Sequence, residues 1–155
     1  MATSCPGPDR PAVPGTDDPA ITTYGRLLEV GRRLEGVLGR TITCRAGMPL
    51  PRFELLLRLA RTPGEQLTMS ELAVQLGVTS GGATRLVDKV AADGLVTRFA
   101  CSEDRRVSHV ALTDAGRDVL GEVLTWHRED LARELVGRLE PDEQADLDRL
   151  LDKLR

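Results

Sequence analysis

The sequence predicts a mainly α-helical fold that carries one small β-hairpin. Apolar residues recur at steps of three and four residues through most of the chain, which is the spacing of amphipathic helices. Two short segments, LVTRFAC and RVSHVAL, instead read as strands on either side of a polar stretch. At 155 residues the chain is long enough to form one domain with its own core. Because aromatic residues make up only 3% of it, that core must consist of leucine, valine and alanine.

The first helix is predicted to follow a proline-rich segment. Residues 1–19 show no apolar periodicity and read as a disordered tail. From Ile21 to Leu38 the apolar residues fall on one helical face, which predicts an amphipathic helix of about five turns.

Two further helices are predicted from their start signals. Pro51 can occupy the first turn of a helix from Arg52 to Arg61. Thr68, with Glu71 three residues later, forms the capping-box signature and begins a short helix from about Met69 to Leu76.

A helix and a hairpin come next. Thr79 or Ser80 caps a helix that runs to about Asp93, where Gly94 ends it, and the two strands follow. A short helix, a glycine-containing turn, a second helix and a β-hairpin form the winged helix-turn-helix arrangement. Thr113 then caps a long helix through about Leu139, and Pro141 begins a last helix to the C-terminus.

The second helix of such a motif buries one face and offers the other to the DNA major groove. The predicted buried stripe is Ala83, Leu86, Val87 and Val90, which leaves outward Ser80, Gly81, Thr84, Arg85 and Lys89. Hydroxyl and guanidinium groups can bond base edges and phosphates. An ordinary helical hairpin with a solvated face is the alternative reading.

The hairpin tip favours DNA over that alternative. Arg105 and Arg106 can place a guanidinium in the narrow minor groove, where the negative potential is strongest. Asp104 can hydrogen-bond and orient one of the two arginines, and Arg98 could contact the DNA backbone or brace the wing.

Residues of about 50–116 resemble the multiple-antibiotic-resistance regulator (MarR) family. The resemblance rests on LTMSELAVQLGVTSGGATRLVDKVAADGLVTR and on DRRVSHVALTDAGR, which contains the DRR triplet and the Leu-Thr-x-x-Gly sequence of the family. The flanking helices also fall in the family's order, so the resemblance extends over roughly residues 20–155.

This resemblance implies a homodimer that binds a pseudo-palindromic double-stranded DNA operator. After the predicted tail (1–19), it implies an N-terminal dimerisation helix (20–48), a winged helix-turn-helix domain (49–112) and C-terminal dimerisation helices (113–155). The leucines of 120–135 and 147–154 fit such an interface, although they could instead pack within one chain.

The DNA contacts are carried over by position. Thr84 and Arg85 are the candidates for reading bases, and Ser80 and Lys89 lie nearer phosphates. Arg106 is the candidate for the minor groove, whereas Arg105 is expected to pair with an acid or a phosphate.

Family members commonly respond to small molecules, often aromatic or phenolic acids. The resemblance implies a ligand crevice between the dimerisation helices and the winged domain, with candidate lining residues Tyr24, Arg26, Leu27, Arg52, Phe53, Trp126 and His127. Each of them could equally be an ordinary core or surface residue.

A cysteine-based redox or electrophile sensor is the alternative switch. Some relatives carry a reactive cysteine at the start of the first helix, but this chain has none there, because Cys5 lies in the tail. Cys44, close to Arg40 and Arg45, and Cys101 in the wing are the remaining candidates, and both could be inert apolar residues.

Other function classes find little support in the sequence. There is no nucleophile motif, phosphate loop or metal-ligand spacing, so neither an enzyme nor a bound cofactor or metal is expected. No segment has the length of a membrane helix, and the cytoplasm is the expected location. A winged-helix module that binds a protein partner stays open, and it would carry an apolar outward face on residues 80–93.

Overall fold

The computed structural model describes residues 13–101, 104 and 106–154. Its six helices are α1 (Pro19–Ala46), α2 (Leu50–Ala60), α3 (Met69–Gln75), α4 (Ser80–Ala92), α5 (Asp114–Glu134) and α6 (Pro141–Leu154). Its three strands are β1 (Gln66–Thr68), β2 (Val96–Ala100) and β3 (Ser108–Leu112). Among the helices of these described residues, none has the length and apolar character to span a membrane.

The sheet is antiparallel, with the strand order β1-β3-β2. The predicted hairpin is confirmed as β2 and β3, in which Arg98 lies opposite Val110 and Ala100 lies opposite Ser108. Strand β1 was not predicted, and it adds to the far side of β3. The sheet therefore connects the segment before α3 directly to the wing.

The core lies between helices α2, α4 and α5 and strand β3. It contains Leu55, Leu56 and Leu59 of α2, which are fully buried, together with Val110 of β3 and Leu120 of α5. The predicted buried stripe of α4 is confirmed, with Ala83, Val87 and Val90 at 0% exposure and Leu86 half-buried against the core. This burial fixes which face of α4 remains free.

Helix α1 is longer than predicted. It begins at Pro19, capped by Asp18, whose carboxylate accepts a hydrogen bond from the backbone N–H of Ala20 at 2.7 Å. It continues past Leu38 to Ala46, because Ile42 is buried in the core and holds the last turns against it. Of the predicted tail, residues 1–12 lie outside the described residues.

Helix α5 is shorter than predicted. Leu135 leaves the helical conformation, with φ −127° and ψ −69°, and residues 136–138 form a separate 3₁₀ turn before α6. A Cβ atom at Gly137 would lie 2.7 Å from the backbone oxygen of Ala132. The close approach of the two backbones explains why the chain turns at a glycine.

Gly116 provides a test of the packing between α5 and the winged domain. It is buried in the first turn of α5, and a Cβ atom there would overlap the backbone oxygen of Leu95 and crowd the Leu112 side chain. Gly116→Ala should therefore lower the free energy of unfolding by about 1–3 kcal/mol. Gly121→Ala on the same helix is the control, since its Cβ would meet nothing within 4 Å. Urea unfolding followed by circular dichroism measures both variants, and equal midpoints would contradict this packing.

Candidate nucleic-acid interface

Helices α3 and α4 are both capped at their N-termini by local hydrogen bonds. Thr79 is the cap residue of α4, and its hydroxyl oxygen accepts a hydrogen bond from the backbone N–H of Gly82 at 3.1 Å. The capping box of α3 is present as predicted, with the Glu71 carboxylate accepting from the Thr68 backbone N–H at 2.9 Å. The helix pair is thus fixed by local hydrogen bonds as well as by its core.

The free face of α4 is polar. Ser80, Gly81, Arg85 and Lys89 are exposed, as predicted. Thr84 is half-buried, and its hydroxyl donates to the backbone oxygen of Ser80 at 3.0 Å. That bond fixes the direction of the hydroxyl and leaves its oxygen able to accept a further hydrogen bond.

A concave surface lies between helices α3 and α4 and the wing, and it encloses a volume of about 460 Å³. It brings together three of the predicted residues, Thr84 of α4, Arg98 of β2 and Arg106 of the wing. Its other lining residues are Thr68, Met69, Ser70, Val107 and Ser108. The sequence reasoning missed Ser70 and Ser108. Strand alternation could have found Ser108, because the residue opposite it, Ala100, shares a sheet face with Arg98.

The wing is closed by a tight turn. The Asp104 carboxylate accepts a hydrogen bond from the backbone N–H of Arg106 at 2.9 Å, and its backbone oxygen accepts from the N–H of Val107 at 2.9 Å. Asp104 therefore contacts Arg106 through the backbone N–H of that residue, and an orienting role of its carboxylate toward a guanidinium stays a prediction. Arg105 lies outside the described residues.

Arg98 of strand β2 forms an ion pair with helix α4. Its Nη1 atom lies 2.9 Å from the Oδ1 atom of Asp88 on α4. This ion pair is compatible with a bracing role, and a contact of Arg98 with the DNA backbone stays a prediction.

The candidate ligand residues, all of which the structure describes, divide between a buried aromatic cluster and other positions. Phe53 and His127 are buried in ring contact, with centroids 4.9 Å apart, and Trp126 lies 6.4 Å from His127. Burial lowers the pKa of His127, opposed by the charge of nearby Asp130, so the imidazole is a neutral core group at pH 7.

The other ligand candidates lie apart from this aromatic cluster. Arg52 pairs with Asp93 at the end of α4. Tyr24 is exposed on α1, while Arg26 and Leu27 line a groove between α1 and α6.

The two candidate sensor cysteines lie far apart in the fold. Cys44 is exposed near the end of α1, beside a shallow groove that includes Arg32 and Arg40. Cys101 is half-buried at the base of the wing, where its backbone N–H donates to the oxygen of Val107 at 2.9 Å. A sensing role for either thiol stays a prediction.

The sequence model of the MarR family matches residues 46–107, which include α2 to α4 and the first wing strand. A crystal structure of Sco3205, a MarR family transcriptional regulator from Streptomyces coelicolor, in complex with DNA, superposes with a TM-score of 0.77. It covers 86% of each chain at 29% sequence identity. The chain is similar to the MarR family in sequence over residues 46–107 and in fold over most of its length. The predicted winged-helix fold is therefore confirmed.

Two curated relatives come from Bacillus subtilis (strain 168). YkoM, an uncharacterized HTH-type transcriptional regulator, is 34% identical over 97 residues, which cover 63% of this chain and 62% of YkoM. YetL, an HTH-type transcriptional repressor, is 28% identical over 111 residues, which cover 72% of this chain and 66% of YetL. The matches thus span about two thirds or less of these two relatives. Both are transcriptional regulators rather than enzymes.

Proposed function

We propose that this protein is a sequence-specific double-stranded DNA-binding regulator of transcription that acts as a homodimer. The observation that carries the proposal is the concave surface where the polar face of α4 meets Arg98 and Arg106 of the wing. The polar character of that face also argues against a module that binds a protein partner, which would expose apolar residues there.

We assign a role to each part of the polar α4 face and of the wing. A helix of this kind fits the major groove, where Arg85 and Thr84 would bond base edges. Ser80 at the start of α4 and Lys89, also exposed on the helix, would contact phosphates. Arg106 at the wing would enter the adjacent minor groove.

A homodimer is supported by the apolar surface that α1 and α6 leave uncovered. Leu150, Leu151 and Leu154 of α6 are 49%, 43% and 76% exposed, and Leu27 and Val30 of α1 are 48% and 47% exposed. These five residues line one groove of about 740 Å³. Leucines that packed within one chain would not stay this exposed, and a second copy of the chain would cover them. A two-fold dimer would present two α4 helices to successive major grooves.

Repression and a response to a small-molecule effector complete the proposal. YetL supports the repressor assignment, since that relative is named as a repressor. We infer that the dimer has a conformation that binds DNA and one that does not. An aromatic or phenolic acid that bound the second conformation more tightly would lower the operator affinity, and the decrease would be set by the difference between its affinities for the two conformations.

Titration of the purified protein against genomic DNA fragments, including its own promoter region, tests the proposed function. Tight binding to a few fragments, with affinity that falls steeply between two salt concentrations, is the expected result. Weak and uniform binding to every fragment would contradict it.

Gly81 tests whether DNA approaches the backbone of α4. A Cβ at this exposed position would meet nothing within 4 Å, so the fold itself does not require glycine. Gly81→Ala should raise the free energy of unfolding by up to about 1 kcal/mol, because glycine is a poor helix former. It should also weaken binding to the selected DNA fragment, because the methyl group would occupy the space between α4 and the DNA. Thermal unfolding and fluorescence anisotropy measure the two effects, and Gly121→Ala should raise stability alone.

A further inference from the structure

Asp88 is an acid on the helix face that is proposed to enter the major groove. It follows Thr84 by four residues and Arg85 by three, so the three share one side of α4. Its side chain is 58% exposed. A carboxylate in this place repels DNA phosphates, so α4 carries a residue that by itself weakens binding.

The partner of Asp88 explains its position. Asp88 accepts from Arg98 at 2.9 Å, and Arg98 lines the concave surface together with Thr84 and Arg106. The ion pair therefore joins the recognition helix to strand β2 at the edge of the candidate DNA surface. The contact at Nη1 uses one of the five N–H donors of the Arg98 guanidinium. Because the guanidinium is planar and rigid, its remaining N–H donors then point in a fixed direction.

We propose that Asp88 is a positioning residue that makes DNA binding selective, an inference that rests on the proposed function. The pair has no net charge, so it adds little to the general attraction of any duplex. Its fixed guanidinium donors can nonetheless bond a DNA acceptor that lies in the right place. Asp88 thereby converts Arg98 from a mobile charge that binds any DNA into a directional contact that requires one geometry.

The test compares Asp88→Asn with wild type on two duplexes of equal length. One is the genomic fragment that the wild-type protein selects, and the other is an unrelated sequence. Releasing Arg98 should strengthen binding to the unrelated duplex. The slope of the logarithm of the binding constant against the logarithm of the salt concentration should steepen by up to about one unit, as for one added phosphate contact. The ratio of specific to non-specific affinity should fall about 2- to 5-fold, which is the size expected for one exposed ion pair.

Asp93→Asn is the matched control. Asp93 also lies at α4 and pairs with an arginine, Arg52, but this pair joins the helix to α2 rather than to the wing. The substitution changes the net charge equally, and the affinity ratio should stay at the wild-type value.

The Arg98→Ala background separates positioning from a direct role of Asp88. If Asp88 acts through Arg98, adding Asp88→Asn to Arg98→Ala changes the affinity ratio no further. An equal gain of affinity for both duplexes would overturn the proposal and leave only general electrostatics. A second result would also overturn the proposal. If Asp88→Asn abolished the preference for one base pair even in the Arg98→Ala background, Asp88 would read that base itself. A wild-type protein without any preferred fragment would instead contradict the proposed function.

Discussion

Replacement of Leu150 and Leu154 by aspartate should produce a folded monomer that binds its DNA fragment on the order of 10²-fold more weakly or worse. Both side chains are exposed in the single chain, at 49% and 76%, so the protomer should keep its helices. In a dimer the two carboxylates would be buried in the apolar groove between α1 and α6, where unpaired charges are strongly unfavourable. A monomer would engage one half-site and lose the benefit of two linked contacts.

Sedimentation measures the association and fluorescence anisotropy measures the DNA affinity. Val74→Asp is the control for association, because Val74 is 81% exposed on α3, away from the groove. It introduces one carboxylate at an exposed apolar position outside the groove and should leave the sedimentation coefficient unchanged. A double aspartate variant that sedimented as wild type would exclude this groove as the dimer interface.

Arg106→Ala should weaken binding to the selected fragment by about 1–3 kcal/mol, which is roughly 5- to 150-fold. Arg106 lies at the wing end of the concave surface, with its backbone fixed by Asp104. A fixed backbone reduces the conformational entropy that is lost when the guanidinium inserts into the minor groove. The salt dependence of binding should also become less steep.

Two variants identify the cause of that loss. Arg106→Lys keeps the charge but not the planar fork, so partial recovery would show how much of the effect is charge alone. Arg149→Ala removes the same charge from α6, where Arg149 pairs with Asp146, and it should leave DNA affinity nearly unchanged. If Arg106→Ala bound as tightly as wild type, the assignment of the wing to the minor groove would be wrong.

Local signals in the sequence were sufficient to predict helix α4 and its free face. The capping hydroxyl of Thr79, the buried stripe of Ala83, Val87 and Val90, and the glycine after the last turn act over a few residues, so their pattern is visible in the chain. The hairpin was predictable for the same reason, since its strands are neighbours in sequence.

The elements that the sequence did not reveal depend on distant partners. Strand β1 has three residues and exists because β3, more than forty positions later, provides its hydrogen bonds. The end of α1 depends on Ile42 reaching a core built by other helices. The pair of Asp88 with Arg98 requires both the rotation of α4 and the register of β2, which no local pattern encodes.

The same distinction between local signals and distant partners applies to the residues of the candidate site. Thr84, Arg98 and Arg106 were predicted one by one, from a helix face and from a wing, and the fold brings them to one surface. The ligand candidates were carried over by resemblance, and the fold separates Tyr24 on the surface from Phe53 in the core. A resemblance in sequence identifies which position of the chain corresponds to a family residue. It does not define the packing around that side chain, because the packing depends on all neighbouring residues.

The most direct test of the account is a hydroxyl-radical footprint of the wild-type protein on the genomic fragment that it binds best. A dimer with two α4 helices in successive major grooves should protect two symmetric half-sites whose centres are about one turn of the duplex apart, with added protection in the flanking minor grooves. A single protected half-site, or protection without symmetry, would contradict the account.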